Sequence, residues 1–385
     1  MKVLFVINGL GTGGAERSLS EMLPPWRDRG LEPTVVCLRM RNEGVHVRVI
    51  GDGVPVEVHD AATSLGRVRA VRSIVRRTRP SLIHSTIFEA DVAARLAAWG
   101  TGLPVLTSLV NTSYEPVRLE DPGISPMRLR VVRAIDGVTA RNLTTHFHAI
   151  THAVKESAVR HLRIDPDDVT VIERGRDPNR LGEPSEERRA KARADLGIDR
   201  DAPVLVTAGR QEYQKGQWNL VAALPRLLSS YPDLVLIIAG RTGSASDCNA
   251  NAIEASGVRG AVQLLGHRDD LPDVMAAGDV FVFPSLYEGL GGVLIEAMAL
   301  GLPIVTSDLP ATREVVEPGR NADLVPPGSP RAIAEAIDRL LEEPARRQAY
   351  AYRSRHIFEQ RFTLDHAVGR MWELFEGVAA RGAAR

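Results

Sequence analysis

The chain has 385 residues, 44% apolar and 25% charged, with 48 Lys/Arg against 48 Asp/Glu. That length is long for one core and predicts two domains, while a neutral, ordinary globular composition argues against a dedicated nucleic-acid binder. Two cysteines, Cys37 and Cys248, exclude a disulfide framework or a thiolate metal cluster and fit a reducing compartment. The N-terminal apolar run is too short for a signal peptide and no segment approaches a membrane span, so the expectation is a cytoplasmic protein.

From the N-terminus, KVLFVIN, PTVVCL, SLIHST, PVLTSLV, HFHAIT and VTVIE read as strands buried on both faces, with helical patterns at 15–29, 64–78, 89–99, 127–144 and 153–162 between them. The first strand runs into GLGTGGAERS, which matches G-x-G-x-x-G through Gly9, Gly11 and Gly14. With Arg39 closing the second strand, an NADP-dependent oxidoreductase stays open at this point. Glycines at a strand–helix turn equally suit any phosphate or sugar that must approach the backbone, or a tight turn with no ligand.

The helical pattern 64–80 carries Arg67, Arg69, Arg72, Arg76, Arg77 and Arg79 around Val68, Val71, Ile74 and Val75. It reads as a solvated outer face or as a contact with an anionic membrane surface, which would suit a lipid-linked acceptor. HFHAITH supplies three histidines without a carboxylate partner at ligand spacing, and Asp165 and Asp167 form a D-x-D where Asp-Pro is ordinary turn chemistry. No metal site is expected.

The polar, charged stretch 177–203 divides the chain, giving domains at 1–180 and 181–362 and a helical terminal segment at 363–385. The second half repeats the first: PVLVTAG, LVLIIAG, VQLLG, VFVFPS, PIVTSD and ADLVPP alternate with helices. This βα alternation predicts an α/β protein of two doubly wound, Rossmann-like parallel sheets, with ligands beyond the C-terminal ends of the strands. After the first of these strands, GRQEYQKG places Arg210 and Lys215 before a helix, a fork and a point charge suited to a diphosphate. FPSLYEGLGG then opens an apolar helix through Gly289, Gly291 and Gly292. Glu296 inside that helix could accept from both hydroxyls of a ribose, with Glu288 facing what lies beyond the phosphates. The plainer alternative has Glu288 capping the helix and Glu296 paired with an arginine.

These motifs resemble the retaining glycosyltransferases of the GT-B fold, family 4 (glycosyl transferases group 1). The signature E-x7-E is EGLGGVLIE, its companion G-R-x4-K-G is GRQEYQKG, and the N-terminal loop is GTGGAE. The resemblance implies two domains facing across a cleft, the first on the acceptor side and the second on the donor side, with the last helix crossing back to the first domain. It implies a hexosyltransferase of class EC 2.4 that is metal-independent, needs no cofactor and uses a nucleotide-diphosphate sugar, UDP- rather than GDP-linked. Arg210, Lys215 and Glu288 would carry catalysis. Glu296 would take the ribose, and Gly289, Leu290, Gly291, Gly292 and Val293 would line the sugar and diphosphate. Arg268 would stand near the base, and Gly13 and Gly14 would close over the diphosphate. The acceptor would be a hydroxyl of a glycan, a lipid-linked intermediate or a small metabolite. A non-catalytic sugar-nucleotide-binding protein is the remaining alternative, because the sequence departs from the family twice. Asn111 stands in LTSLVNTSYEP where many members carry a histidine, and Arg174 replaces the usual Asn in ERGRD.

Overall fold

The computed structural model describes residues 1–41 and 44–383, so positions 384 and 385 of the expected terminal segment lie outside the described residues. The chain divides into two units. Unit 1 comprises Met1–Glu115, Ile124–Arg176 and Leu364–Arg385, and unit 2 comprises Pro116–Gly123 and Asp177–Thr363. The Val/Ile/Leu-rich runs become strands in both, and apart from the half-buried edge strand at 262–266 their side chains are buried on both faces because helices cover each sheet.

Unit 1 runs β1 (Lys2–Ile7), α1 (Gly14–Asp28), β2 (Glu32–Cys37), α2 (His46–Gly51), β3 (Val56–Val58), α3 (Ser64–Thr78), β4 (Leu82–Thr86), α4 (Phe88–Ala98), β5 (Val105–Leu109), α5 (Pro126–Leu143), β6 (His146–Ala149), α6 (His152–Leu162) and β7 (Val169–Val171). Its seven strands are parallel in the order β3-β2-β1-β4-β5-β6-β7. The edge strand β3 was not foreseen: three half-exposed residues, VEV, give no apolar run to read. Basic α3 buries Val71, Ile74 and Val75. Arg67 pairs with Glu89 at 3.3 Å, Arg77 pairs with Glu57, and Arg72 donates to the carbonyl of Trp99.

Unit 2 runs α7 (Pro178–Leu181), α8 (Glu186–Asp195), β8 (Val204–Ala208), α9 (Gln217–Leu228), β9 (Val235–Ala239), α10 (Ser246–Ala255), β10 (Val262–Gly266), α11 (Leu271–Ala276), β11 (Val280–Phe283), α12 (Gly292–Ala299), β12 (Ile304–Ser307), α13 (Pro310–Val315), β13 (Ala322–Val325), α14 (Pro330–Glu342) and α15 (Pro344–Arg361). Its six parallel strands are ordered β10-β9-β8-β11-β12-β13. The final helix, α16 (Leu364–Ala383), returns to unit 1. There Phe375 packs edge-on to Phe5, Trp26 and His84, with ring centroids 6.0, 5.0 and 5.5 Å away, and Trp26 Nε1 donates to the Val368 carbonyl at 3.2 Å.

The stretch 177–203, read from its polarity as a divider, is itself built structure within unit 2. Ser185 caps α8 by accepting from the Arg188 amide, with Glu186 and Glu187 in the first turn where the helix dipole favours acids. Buried Arg193 donates to the carbonyls of Ala277, Asp199 and Ala202 at 3.0, 3.3 and 2.9 Å and to Asp279 Oδ2 at 2.9 Å, while Arg189 takes Asp279 Oδ1 at 2.7 Å. Guanidinium forks, rather than an apolar stripe, hold this helix to the domain.

Candidate active site

In unit 2, β8 lies between β9 and β11, so the strand order reverses direction here and the loops after β8 and β11 emerge side by side at the switch point. The loop after β8 is held by buried amides. Gln217 Nε2 donates to the Gly209 carbonyl at 3.2 Å, and Asn249 Nδ2 donates at 3.2 Å to Oε1 of both Gln211 and Gln217. Gly216 begins α9 at φ +55°, where an added Cβ would stand 2.5 Å from the Pro284 carbonyl oxygen. Two bonds stitch this loop to the one after β11: Leu286 N to Gln214 O at 2.8 Å, and Gln214 Nε2 to Tyr287 O at 2.9 Å.

Where the loops meet, Lys215 Nζ donates to Glu288 Oε1 and sits 5.0 Å above the Phe283 ring. Ser285 Oγ donates to the same carboxylate oxygen at 3.2 Å, and Glu288 is 8% exposed. Gly291 caps α12 at φ +80°, pressed so closely on Phe283 that a Cβ would come within 2.9 Å of the ring. A glycine there leaves the backbone amides at the start of α12 uncovered by any side chain of their own. Leu290 is buried beneath the turn, Val293 lies half-buried in the first turn, and Glu296, the fifth residue of α12, is 3% exposed. Arg210 lies on the same loop as Lys215 with its side chain 58% exposed, 3.2 Å from Glu212, which in turn accepts from Ser244 Oγ.

The structure thus brings Lys215, Glu288, the 289–293 turn and Glu296 together, with Arg210 adjoining. Arg268 follows edge strand β10, two strands from β8, and its guanidinium forks onto Asp270 at 2.7 and 2.5 Å. That pairing holds the Asp270 carboxyl below its usual range.

In unit 1 the glycine loop after β1 leads into α1, with Gly13 as N-cap and Gly14 as first residue. A Cβ on Gly14 would lie 3.1 Å from Arg174 Nη1, so buried Arg174, which follows β7, comes to rest against the α1 N-terminus. Asn111, following β5, accepts from the Thr112 amide at 2.9 Å and lines a cavity of about 60 Å³ with Asp91, Ser108, Tyr114 and Asp136.

Sequence reasoning missed Asp91. Burial pushes its carboxyl up to about 7, against the pull of Arg95 and with a further push from Asp136. It was hidden in the alanine-rich FEADVAARLAA, where one acid among small residues looks like an exposed position. Beside it, Arg95 Nη1 donates to Asp136 Oδ1 at 2.6 Å and Tyr114 Oη to Asp136 Oδ2 at 2.7 Å.

Two of the three histidines of HFHAITH, together with His84, are core groups. His84 Nε2 meets Ser108 Oγ at 2.6 Å, Ser108 Oγ meets His148 Nδ1 at 2.8 Å, and His148 Nε2 donates to the Ile172 carbonyl at 2.8 Å. Burial pushes His84 down to about 3 and His148 to about 4, so both are neutral. His146 is tied to Thr170 at 2.8 Å, and His152 is exposed at the start of α6. Asp165 accepts from the Asp167 amide at 2.9 Å, an Asx turn, and no cluster of metal-ligating groups occurs among the described residues.

Two parallel doubly wound sheets of seven and six strands, with a diphosphate-type loop at the switch point of the second, define the GT-B class of sugar transferases. Residues 12–180 match the model of Glycosyltransferase Family 4 and residues 188–357 that of Glycosyl transferases group 1. The chain is 30% identical over 328 residues to the alpha-maltose-1-phosphate synthase of Mycolicibacterium smegmatis, covering 78% of this chain and 80% of that one. It is 29% identical to the 2-deoxystreptamine glucosyltransferase of Streptomyces kanamyceticus, over 77% of this chain and 75% of the other. Among solved structures, Anabaena HepE in complex with UDP-glucose superposes with a TM-score of 0.84 at 26% identity, over 98% of this chain and 100% of that one. The protein belongs to the GT-B family 4 glycosyltransferases, and the oxidoreductase reading of its first glycine loop falls away.

Proposed function

We propose that the protein transfers a sugar from a UDP-sugar to an acceptor hydroxyl with retention of anomeric configuration and without a metal ion. The observation that carries this reading is the cluster at the β8/β11 switch point: Lys215 bonded to Glu288, Arg210 beside it, and the glycine-capped start of α12. Two cations and a helix N-terminus supply what a departing diphosphate needs, which is stabilisation of charge growing on its oxygens. Glu296, buried one turn below that N-terminus, takes the ribose hydroxyls, and Glu288 faces the sugar. The bond from the anomeric carbon to the diphosphate breaks, the acceptor oxygen bonds to the same face, and its proton passes to the leaving phosphate oxygen. Gly13, Gly14 and Arg174 belong to the diphosphate and acceptor side, as does Asn111. The relation to HepE, solved with UDP-glucose, favours UDP among donors.

The acceptor is a hydroxyl of a glycan, a lipid-linked intermediate or a small metabolite. Membrane contact through residues 64–80 loses support, since Arg67, Arg72 and Arg77 are occupied within unit 1. No helix among the described residues is long and apolar enough to cross a membrane. A panel of nucleotide sugars tests the reading: a UDP-sugar should raise the melting temperature and be slowly hydrolysed, in excess EDTA as without it. Proton NMR of the first-released sugar should show the donor's own anomer. Release of the opposite anomer, or activity lost to EDTA and restored by manganese, would overturn the mechanism.

A further inference from the structure

Helix α5 packs into the domain through small and polar residues and leaves its aliphatic ones outside. Its inner side, Asp136, Gly137, Thr139 and Ala140, is buried against α4 and α6. On the other side Met127, Val131, Ile135 and Val138 are 69%, 52%, 45% and 54% exposed. At 3.6 residues per turn these four fall within about 80° of arc and run for roughly 16 Å along the helix. Single exposed aliphatics are ordinary, but four aligned on one helix mark an interaction face.

The rim of this stripe is cationic. Arg128 borders it on one side and Arg130 on the other, with Arg133 beyond, and all three are exposed; Arg141, also exposed, is tied by its guanidinium to the Leu162 carbonyl. The only acid in the helix, Asp136, lies on the buried side, bonded to Arg95. The arginine-rich α3 is built the other way round: its valines and isoleucine point inward, and Leu65 is its only large exposed apolar residue among those described.

We propose that this face of α5 docks on an anionic lipid surface. The helix would lie in the plane of the interface, with Met127, Val131, Ile135 and Val138 entering the headgroup layer and the flanking guanidinium groups pairing with lipid phosphates. A second copy of the chain is the poorer occupant, because a two-fold pairing of the stripe would set these arginines against their own equivalents. A stripe this short gives reversible, salt-sensitive attachment. The proposal rests on α5 alone and stands apart from the sugar-transfer reading.

Co-sedimentation of the full chain with vesicles tests it, using phosphatidylcholine alone and phosphatidylcholine with about one-third phosphatidylglycerol. Partition should fall more than about tenfold when the anionic lipid is omitted, and sharply at high salt. Val131→Glu with Val138→Glu should reduce it by a similar factor while the melting temperature holds. Should that pair disturb folding, Arg128→Gln with Arg130→Gln and Arg133→Gln, which keeps the helix, should still weaken binding severalfold. Arg69→Ala with Arg76→Ala on α3 should leave it unchanged. Absence of binding to anionic vesicles overturns the proposal, as does binding that survives the α5 changes or is lost to the α3 ones. An oligomer split by Val131→Glu, without vesicle binding, would assign the face to a second copy instead.

Discussion

Lys215 and Glu288, 73 residues apart in sequence, share a hydrogen bond where the loops after β8 and β11 meet, and Ser285 donates to the same carboxylate oxygen. The ammonium is therefore held in place by the fold itself. Its two remaining protons stay available, since Lys carries three donors.

Removing Lys215 should lower kcat at least about a hundredfold, and Arg210→Ala similarly, because in the proposed mechanism each stabilises the leaving diphosphate. The fold should survive both. In a double-mutant cycle, Lys215→Ala with Glu288→Gln should cost less than the sum of the singles, with a coupling of about 1–3 kcal/mol in transition-state free energy. Additive losses would show that the hydrogen bond has no part in catalysis.

The two glutamates should fail differently. Glu296 is assigned to a ribose that does not react, so Glu296→Gln should raise KM and weaken free UDP together, by about 1–3 kcal/mol, with kcat largely kept. Glu288→Gln should lower kcat strongly while UDP binds nearly as before. Calorimetry with UDP beside steady-state kinetics separates the roles, and the opposite pattern would exchange them.

Acid should act on unit 1 through its buried titratable groups. His84 and His148 are pushed down to about 3 and 4, so the unfolded chain binds their protons below pH 6.5 and the folded one refuses them until near pH 4. Their stabilising contribution is full above pH 6.5 and shrinks as pH falls, by about 1.4 kcal/mol per histidine per pH unit. Asp91, raised to about 7, works oppositely: between about pH 4 and 7 the folded chain holds a proton the unfolded one has lost, so its effect favours folding as pH falls. Asp91→Asn should therefore steepen the acid loss between pH 6.5 and 4 by about one proton, and His148→Gln should flatten it by as much. Urea unfolding across that window reads both slopes, and parallel slopes in all three proteins would refute the assignment.

Arg193→Ala should destabilise unit 2 by about 3–5 kcal/mol, since it strips Asp279 of a buried charge partner and leaves several carbonyls unpaired. Arg193→Lys should rescue little, because an ammonium cannot span acceptors spread around a planar fork. Chemical denaturation measures this, and activity per folded molecule should stay near that of the wild type.

Strands and the donor-side loop were legible because their signals are local. Buried parallel strands read as apolar runs, and G-R-x4-K-G and E-x7-E each lie on one loop or one loop and helix. The Lys215–Glu288 bond was not legible, since it joins two loops whose adjacency depends on strand order. Helix α8 was passed over because its docking is polar: Arg193 and Arg189 do what leucines do elsewhere, although Ser185 followed by Glu186 and Glu187 was a usable capping signal. Asp91 and the His84–Ser108–His148 chain stayed hidden because burial of a polar group leaves no periodic mark.

The placement of Phe375 bears on how the protein is made. Phe5, Trp26 and His84 are translated well before the ring that closes over them, which lies on α16 beyond the 187 residues of unit 2 from Asp177 to Thr363. At ordinary elongation rates that interval is roughly 10–40 s. Throughout it the nascent first sheet bears an open aromatic seam, a site for a chaperone to hold and a point from which aggregation can start. Lesions in α16 should accordingly be felt first in the sheet of unit 1 that it closes over.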